Sequence, residues 1–324
     1  MVSILVWIVF GVMLVFKFLV VEPIHSDGIR LLEKFGEVKC LPIGSTVDDL
    51  AEAIVDVDAV ISRGFIKIPR DVLLRARRLK VIGVHGVGVD HIDLDTAREL
   101  GVKVINTPEA LTVTVAEFTV GLILTLLRRI PRADNAVRSG EWDRKYSDLI
   151  GVELFDKIVG IIGLGRIGSA VARRLKCFDV NLIYYDKVRK LFLEREIGVR
   201  FRGFDDLLRE SDIITIHVPL TSETYHMISD REFELMRDGV YIVNMGRGAV
   251  IDERALIKYL ESGKVAGAAL DVFEVEPLPK DSPLTKFDNV ILTPHLGASS
   301  REALRRMAID VARKVLMELG VKID

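Results

Sequence analysis

Three side chains in the second half of the chain are of the types that acid–base chemistry on a small oxygenated molecule needs. Arg247 stands in Asn244-Met245-Gly246-Arg247-Gly248, Glu276 in Asp271-Val272-Phe273-Glu274-Val275-Glu276-Pro277, and His295 in Thr293-Pro294-His295-Leu296-Gly297. A planar guanidinium grips a carboxylate with two parallel hydrogen bonds, and flanking glycines leave room for a ligand against the backbone. An imidazole passes a proton to or from a carbonyl oxygen, and a carboxylate beside it favours the imidazolium, making a proton donor near neutral pH. Taken singly, each is better read as a surface cation, a turn acid and a strand-end histidine satisfied by backbone. Taken together, each follows an apolar strand-like run, which places all three at the carboxyl edge where a doubly wound sheet binds ligands.

The stretch Ile158 to Asp186 supplies a second reactant. The run Ile158-Val159-Gly160-Ile161-Ile162 suits a strand buried on both faces and leads into Gly163-Leu164-Gly165-Arg166-Ile167-Gly168. Gly163 allows the tight turn, Gly165 lets the backbone approach a pyrophosphate, and Gly168 lets the following helix, expected over Ser169 to Phe178, pack on the strand. The N–H groups at that helix start face the phosphates. A second strand, Asn181 to Tyr185, ends at Asp186, whose carboxylate accepts from ribose hydroxyls and repels a 2′-phosphate, favouring NAD over NADP. A lone Gly-x-Gly-x-x-Gly is weak evidence, but this one follows a strand, opens a helix and has an acid at the expected distance. Beside a nicotinamide, the arginine, glutamate and histidine suit the reduction of a 2-keto acid.

The elements that must hold these residues alternate between strand and helix. Strands are expected at Phe18 to Val21, Val38 to Leu41, Ala59 to Ser62, Val81 to His85 and Lys103 to Ile105. Between them lie amphipathic segments from Ser26 to Phe35, Thr46 to Ile54, Pro69 to Arg77 and Asp93 or Asp95 to Leu100, with Ser26, Thr46 and the aspartates as caps. Leu111 to Ile130 reads as one long apolar helix, followed by Pro131 to Gly140 and a polar loop. Later strands fall at Ile213 to Val218, Val240 to Met245, Val265 to Val272 and Asn289 to Thr293, with helices at Asp230 to Arg237 and Asp252 to Ser262. The last helix, Ser299 to Leu319, carries Leu304, Met307, Ala308, Val311, Val315 and Leu319 on one side. The class is α/β, two doubly wound parallel-sheet domains.

Length and composition agree with that class and exclude others. The 324 residues suffice for two α/β cores, and 45 basic against 47 acidic residues leave no basic excess for a nucleic-acid backbone. There is no glutamine, and asparagine is confined to positions 106, 135, 181, 244 and 289, a bias that fits a heat-adapted source. Cys40 and Cys177 have no ligand spacing around them, so neither zinc nor a disulfide framework is indicated, and both are expected as buried, reduced thiols. Met1 to Phe16 is almost wholly apolar and uncharged until Lys17. It lacks the basic start and cleavage site of a signal peptide and is short for a membrane span unless it consumes the first strand. A non-native or misassigned extension is expected, with Met13 as a shorter start and a membrane tether as the alternative.

From Phe16 onward, the glycine turn and the motifs around Arg247, Glu276 and His295 resemble those of the D-isomer-specific 2-hydroxyacid dehydrogenases. The resemblance implies a flavodoxin-like substrate domain of residues 1–104 with 296–324, completed by the last helix, and a Rossmann NAD-binding domain of residues 105–295. It implies Arg247, Glu276 and His295 as the catalytic residues. For the cofactor it implies Gly163, Gly165, Arg166, Ile167, Gly168 and Asp186, with Val218 and Pro219 on the adenine side, Met245, Gly246, Gly297 and Ala298 lining the site, and Asp271 on the nicotinamide amide. Gly86-Val87-Gly88-Val89-Asp90 looks like the substrate loop, whose Val87 and Gly88 amides take the substrate carboxylate. Within the family the chain is similar to short 3-phosphoglycerate dehydrogenases, with Arg63 and the run Trp142-Asp143-Arg144-Lys145 on the phosphate side. Thr107-Pro108-Glu109-Ala110-Leu111-Thr112 is closer to glyoxylate and hydroxypyruvate reductases, and Val84 and Leu111 stand where phosphoglycerate-type members often carry arginine and asparagine. An NAD-sensing binding module of the same fold is the reading from another class. A cytoplasmic homodimer built on the helix 111–130 is expected, closing on hinges near Ile105 and Pro294.

Overall fold

A computed structural model describes residues 15–323. The expectation for Met1 to Phe16 therefore falls outside the described residues except for Val15 and Phe16, the latter being the first residue of a strand. The chain divides into two compact units, one running to Leu111 and resuming at Ser300, the other Thr112–Ser299. Both boundaries lie further along the chain than the 104/105 and 295/296 positions expected from the sequence.

The first unit contains β1 (Phe16–Val20), α1 (Ser26–Glu33), β2 (Gly36–Cys40), α2 (Val47–Ala53), β3 (Ala59–Ser62), α3 (Arg70–Leu73), β4 (Val81–Val84), α4 (Leu94–Glu99) and β5 (Lys103–Asn106). The strands form one parallel sheet in the order β2-β1-β3-β4-β5, a flavodoxin-like order. β3 and β4 are buried at every residue, which is why they read as unbroken apolar runs rather than alternating ones. Leu19, Leu50, Ile68 and Ile82 fill one face of the sheet, and Phe18, Val20 and Ile61 lie on the other. Thr46 and Asp93 cap α2 and α4 as expected. α1 is capped by His25 instead of Ser26, because His25 keeps extended backbone and its ring Nδ1 accepts from the Asp27 N–H.

α5 (Pro108–Leu127) and α6 (Ile130–Arg138) follow. α5 starts earlier than the expected Leu111, with Pro108 opening the helix. It stops short of Ile130 because Arg129 takes left-handed backbone, φ 52°. By length and composition it is apolar enough to cross a membrane, a test that partly buried core helices also pass.

The second unit contains β6 (Ile158–Ile162), α7 (Arg166–Leu175), β7 (Asn181–Tyr185), α8 (Leu191–Ile197), β8 (Arg200–Phe201), α9 (Phe204–Glu210), β9 (Ile213–Ile216), α10 (Asp230–Leu235), β10 (Val240–Asn244), α11 (Glu253–Glu261), β11 (Val265–Leu270) and β12 (Val290–Leu292). All its strands are parallel, in the order β12-β11-β10-β9-β6-β7-β8, so the winding reverses between β6 and β9, beside the glycine turn. α12 (Arg301–Glu318) returns to the first unit, where Val311 and Val315 pack against Phe18, Val20 and Ile61. Ala303, Ala312 and Leu316 complete its buried stripe, whereas Leu304 and Leu319 are only partly covered.

The cysteines are exposed, against expectation. Cys40 ends β2, the edge strand, and Cys177 sits in a short 3-10 turn after α7, positions that sheet order and helix length decide.

Candidate active site

The glycine turn is built from the end of β6. Gly163 has φ 92°, a conformation that a side chain disfavours, and its N–H donates to Tyr185 O at 2.9 Å. A Cβ on Gly168 would stand 2.1 Å from Gly163 O, so α7 seats on the turn at backbone distance. Around Gly165 a side chain would meet nothing within 4 Å, and Gly165 stands at the N-cap of α7 with no side-chain cap. Open space over an uncapped helix start fits a pyrophosphate. α7 begins at Arg166 rather than Ser169, which places Arg166 and Ile167 in its first turn. Asp186 follows the end of β7 and ties the turn down: its Oδ2 accepts from the Leu164 N–H at 3.0 Å.

The ends of β6, β9 and β10 converge on Val218. A Cβ on Gly163 would come 2.8 Å from Val218 Cγ1, and one on Gly246 would come 2.7 Å from Val218 O. Pro219, next along, is exposed. At the end of β10 the buried Asn244 shapes the turn before Arg247: its Oδ1 accepts from the Gly246 N–H and its Nδ2 donates to Arg247 O, both at 3.0 Å. Arg247 Nη1 donates to Gly246 O at 2.9 Å. The sequence assigned no role to Asn244, although an asparagine at a strand end before a glycine is a recognisable backbone clamp.

Asp271, after β11, holds the loop that carries the histidine. Its side chain is buried, with Oδ1 accepting from Thr293 Oγ1 (2.6 Å) and the Leu296 N–H (2.7 Å), and Oδ2 accepting from the Gly297 N–H (2.8 Å). Burial pushes the Asp271 carboxyl above its ordinary pKa against the pull of these bonds. Met245 reaches the same place, its Cε 2.9 Å from where a Cβ on Gly297 would lie, and Ala298 follows on that loop. His295 has left-handed backbone, φ 53°, and its N–H donates to Asp271 O at 2.9 Å. Its ring Nδ1 lies 2.9 Å from Glu276 Oε2, while Glu276 Oε1 accepts from the Phe273 N–H at 3.0 Å. Burial works to raise the Glu276 pKa. The His295 contact, the Phe273 N–H and the Arg247 charge outweigh it and hold the carboxyl below its ordinary value.

Arg63, Val87 and Gly88 belong to the first unit. The Arg63 guanidinium donates to Pro23 O at 2.9 Å, and its backbone N–H donates to the buried carboxylate of Glu22 at 2.7 Å. The loop from Gly86 is pinned through Thr107 and Asn106: the Gly86 N–H donates to Thr107 Oγ1 at 3.0 Å, and Asn106 Nδ2 donates to Val87 O at 2.8 Å. Arg144, in the second unit, spends its guanidinium on Asp148 and Glu141, at 2.6 and 2.7 Å. Among the described residues no cluster of His, Cys, Asp or Glu is arranged for a metal ion.

A parallel nucleotide-binding sheet that presents an arginine and a hydrogen-bonded histidine–glutamate pair at its carboxyl edge defines a dehydrogenase class. The family model described as "D-isomer specific 2-hydroxyacid dehydrogenase, NAD binding domain" matches residues 120–297, and the chain belongs to the D-isomer-specific 2-hydroxyacid dehydrogenase family, with NAD as the cofactor. It is 48% identical over 275 residues to the glyoxylate reductase of Thermofilum pendens, covering 84% of this chain and 81% of that protein. It is 46% identical over 300 residues to the D-3-phosphoglycerate dehydrogenase of Methanocaldococcus jannaschii, covering 92% of this chain but only 56% of that longer protein. The crystal structure of D-lactate dehydrogenase from Aquifex aeolicus complexed with NAD and lactic acid superposes with a TM-score of 0.81 at 31% identity, covering 94% of this chain and 96% of that one.

Proposed function

We propose that the protein is an NAD-dependent D-2-hydroxyacid dehydrogenase that interconverts 3-phosphoglycerate and 3-phosphohydroxypyruvate, a cytoplasmic step toward serine in a heat-adapted host. The observation that carries the dehydrogenase reading is the 2.9 Å contact of His295 with Glu276, in a loop pinned by Asp271. NAD, held by the glycine turn and the start of α7, would supply or accept the hydride at the substrate carbon that bears the hydroxyl. Glu276, ionised, takes the Nδ1 proton of His295 in a hydrogen bond and leaves Nε2 facing substrate, where it gives a proton to the carbonyl oxygen in reduction and takes one from the hydroxyl in oxidation. Arg247 grips the 2-keto acid. The amides of Val87 and Gly88 receive the substrate carboxylate, and Arg63 serves the phosphate. Arg144 joins it only by exchanging its present carboxylate partners. The glycine turn and the start of α7 hold the pyrophosphate, and Asp186 the ribose.

A second reading within the family, a glyoxylate or hydroxypyruvate reductase, is favoured by the 48% identity to the Thermofilum pendens enzyme. An NAD-sensing binding protein has no need of a complete arginine, glutamate and histidine set, and their presence here supports catalysis. NADH oxidation measured with phosphohydroxypyruvate, hydroxypyruvate, glyoxylate and pyruvate separates these. Highest kcat/KM with phosphohydroxypyruvate is expected; preference for glyoxylate or hydroxypyruvate selects the second reading, and no turnover with any selects the third.

A further inference from the structure

His226 lies in the segment between β9 and α10, distant in sequence from the reacting residues, yet it bonds both to the turn after Arg247 and to the loop that leads into Glu276. Its backbone N–H donates to Ala249 O at 2.8 Å, and the Ile228 N–H donates to Val250 O at 3.2 Å, so this segment lies along the turn after Arg247. Its ring Nε2 is 3.0 Å from Glu274 Oε1. The same oxygen accepts from the Glu253 N–H at 2.9 Å, and the Glu274 N–H donates in return to Glu253 Oε1 at 2.7 Å. Beneath these bonds the two loops touch backbone to backbone: a Cβ on Gly248 would stand 1.8 Å from Phe273 C. The Arg247 turn and the Glu276 loop are therefore packed backbone to backbone, with His226 bonded to both.

Two further features fit that role. His226 is held in left-handed backbone, φ 47°, and stacks on Tyr225 at 4.1 Å between ring centroids, a conformation that persists only where the surroundings over-determine it. Around its ring stand Glu274 and, 4.0 Å from Nδ1, Asp252, with Glu253 beyond. Burial, then the charges of Glu274 and Glu276, raise the Glu253 pKa, so carboxylates crowd this junction and a donor on His226 relieves them.

We propose that His226 is a positioning residue: its Nε2–H holds Glu274 and, through the loop Glu274 anchors, sets Glu276 against His295 and beside Arg247. This rests on Arg247, Glu276 and His295 being the reacting residues. The test compares His226→Ala with His226→Gln, whose amide retains a donor, in steady-state reduction by NADH across the neutral pH range, with NADH affinity followed by fluorescence. His226→Ala is expected to lower kcat about tenfold, to move the alkaline limb of reduction to lower pH as Glu276 drifts from His295, and to leave NADH affinity unchanged; His226→Gln is expected to recover most of both. Unaltered kcat and pH profile in His226→Ala, parallel loss of NADH affinity, or a glutamine variant no better than alanine overturns the proposal. A wild-type protein that turns over no keto acid instead refutes the reading of the reacting residues. In that case amide hydrogen exchange decides the positioning claim: faster exchange at Glu253 and Glu274 in His226→Ala supports it, and unchanged exchange overturns it.

Discussion

His295 Nδ1 and Glu276 Oε2 stand 2.9 Å apart, and that contact assigns the two ring nitrogens different tasks. Glu276 is held below the ordinary carboxylate range, so it is the ionised acceptor and Nδ1 carries the proton. Nε2 is then the nitrogen available to a substrate oxygen. The histidine side chain is 40% exposed and the glutamate 31%, so the pair sits at the surface of its own unit, where a ligand can reach it.

Glu276→Gln tests that division of labour. A neutral amide favours the imidazolium less than a carboxylate does, so the alkaline limb of keto-acid reduction is expected to move to lower pH. Stability carries a second signature. Because the folded pKa of Glu276 is depressed, its contribution is complete above the unfolded value of about 4.3 and is lost as pH falls through the folded value. The glutamine variant is expected to lack that acid-limb loss in urea unfolding, and an unshifted rate profile would break the coupling of the pair.

His295→Ala is expected to cut kcat by roughly 10²- to 10⁴-fold, the usual worth of a positioned proton donor, with NADH affinity intact. Arg247→Lys is expected to act mainly on keto-acid KM, by about tenfold, since a lysine cannot make the two-pronged contact. Stopped-flow and steady-state kinetics distinguish the two patterns. A fully active His295→Ala protein would remove the histidine from the mechanism.

At the proposed adenosine end, Asp186 combines an observed bond from the Leu164 N–H with the ribose contact proposed for it, and substitution can separate the two. Asp186→Ala removes both the proposed ribose acceptor and the bond from the Leu164 N–H that ties the turn to β7. Asp186→Asn keeps an oxygen for Leu164 while removing the charge that repels a 2′-phosphate. NADPH turnover is expected to rise in both variants, with NADH turnover better preserved in the asparagine variant. Wild-type use of NADPH equal to that of NADH would show that Asp186 does not discriminate.

Buried histidines set a further pH dependence. Burial lowers His85 from 6.5 to about 4, and His217 to about 3. Between the folded and unfolded values the unfolded chain holds more protons, so stability is full above about pH 6.5 and is lost as pH falls toward those lower values. His85→Gln does not titrate and is expected to flatten part of this slope in urea midpoints recorded from neutral to acid pH. An equal slope in wild type and variant would locate the dependence elsewhere.

For assembly, a homodimer built on α5 is the expected state, motivated by a long, strongly apolar helix of which only part is buried within the chain. Light scattering on a chain lacking Met1 to Val12 removes association caused by that apolar segment. A monomeric mass with activity retained would return α5 to the role of a core helix.

The order of residues alone decides most strands and the chemical groups they carry. Parallel strands buried on both faces leave unbroken apolar runs, which is why β3, β6 and β7 stand where those runs stand, and the spacing of Gly163, Gly165, Gly168 and Asp186 is local to one strand–turn–helix unit. Residues 187–212 carry no comparable period, because α8 and α9 are short and β8 has two residues, defined only by its pairing onto β7. The exposure of Cys40 depended on which strand became the sheet edge, and the span of α5 on where Arg129 turned left-handed. The contacts among the proposed reacting residues were likewise set by tertiary structure. β11 beside β12 brings Asp271 to the amides of Leu296 and Gly297, and a return loop brings Glu276 to His295 across 19 positions of chain. Composition and motif name the groups at strand ends, but hydrogen bonds of about 3 Å between separate loops exist only once sheet order has put those ends side by side.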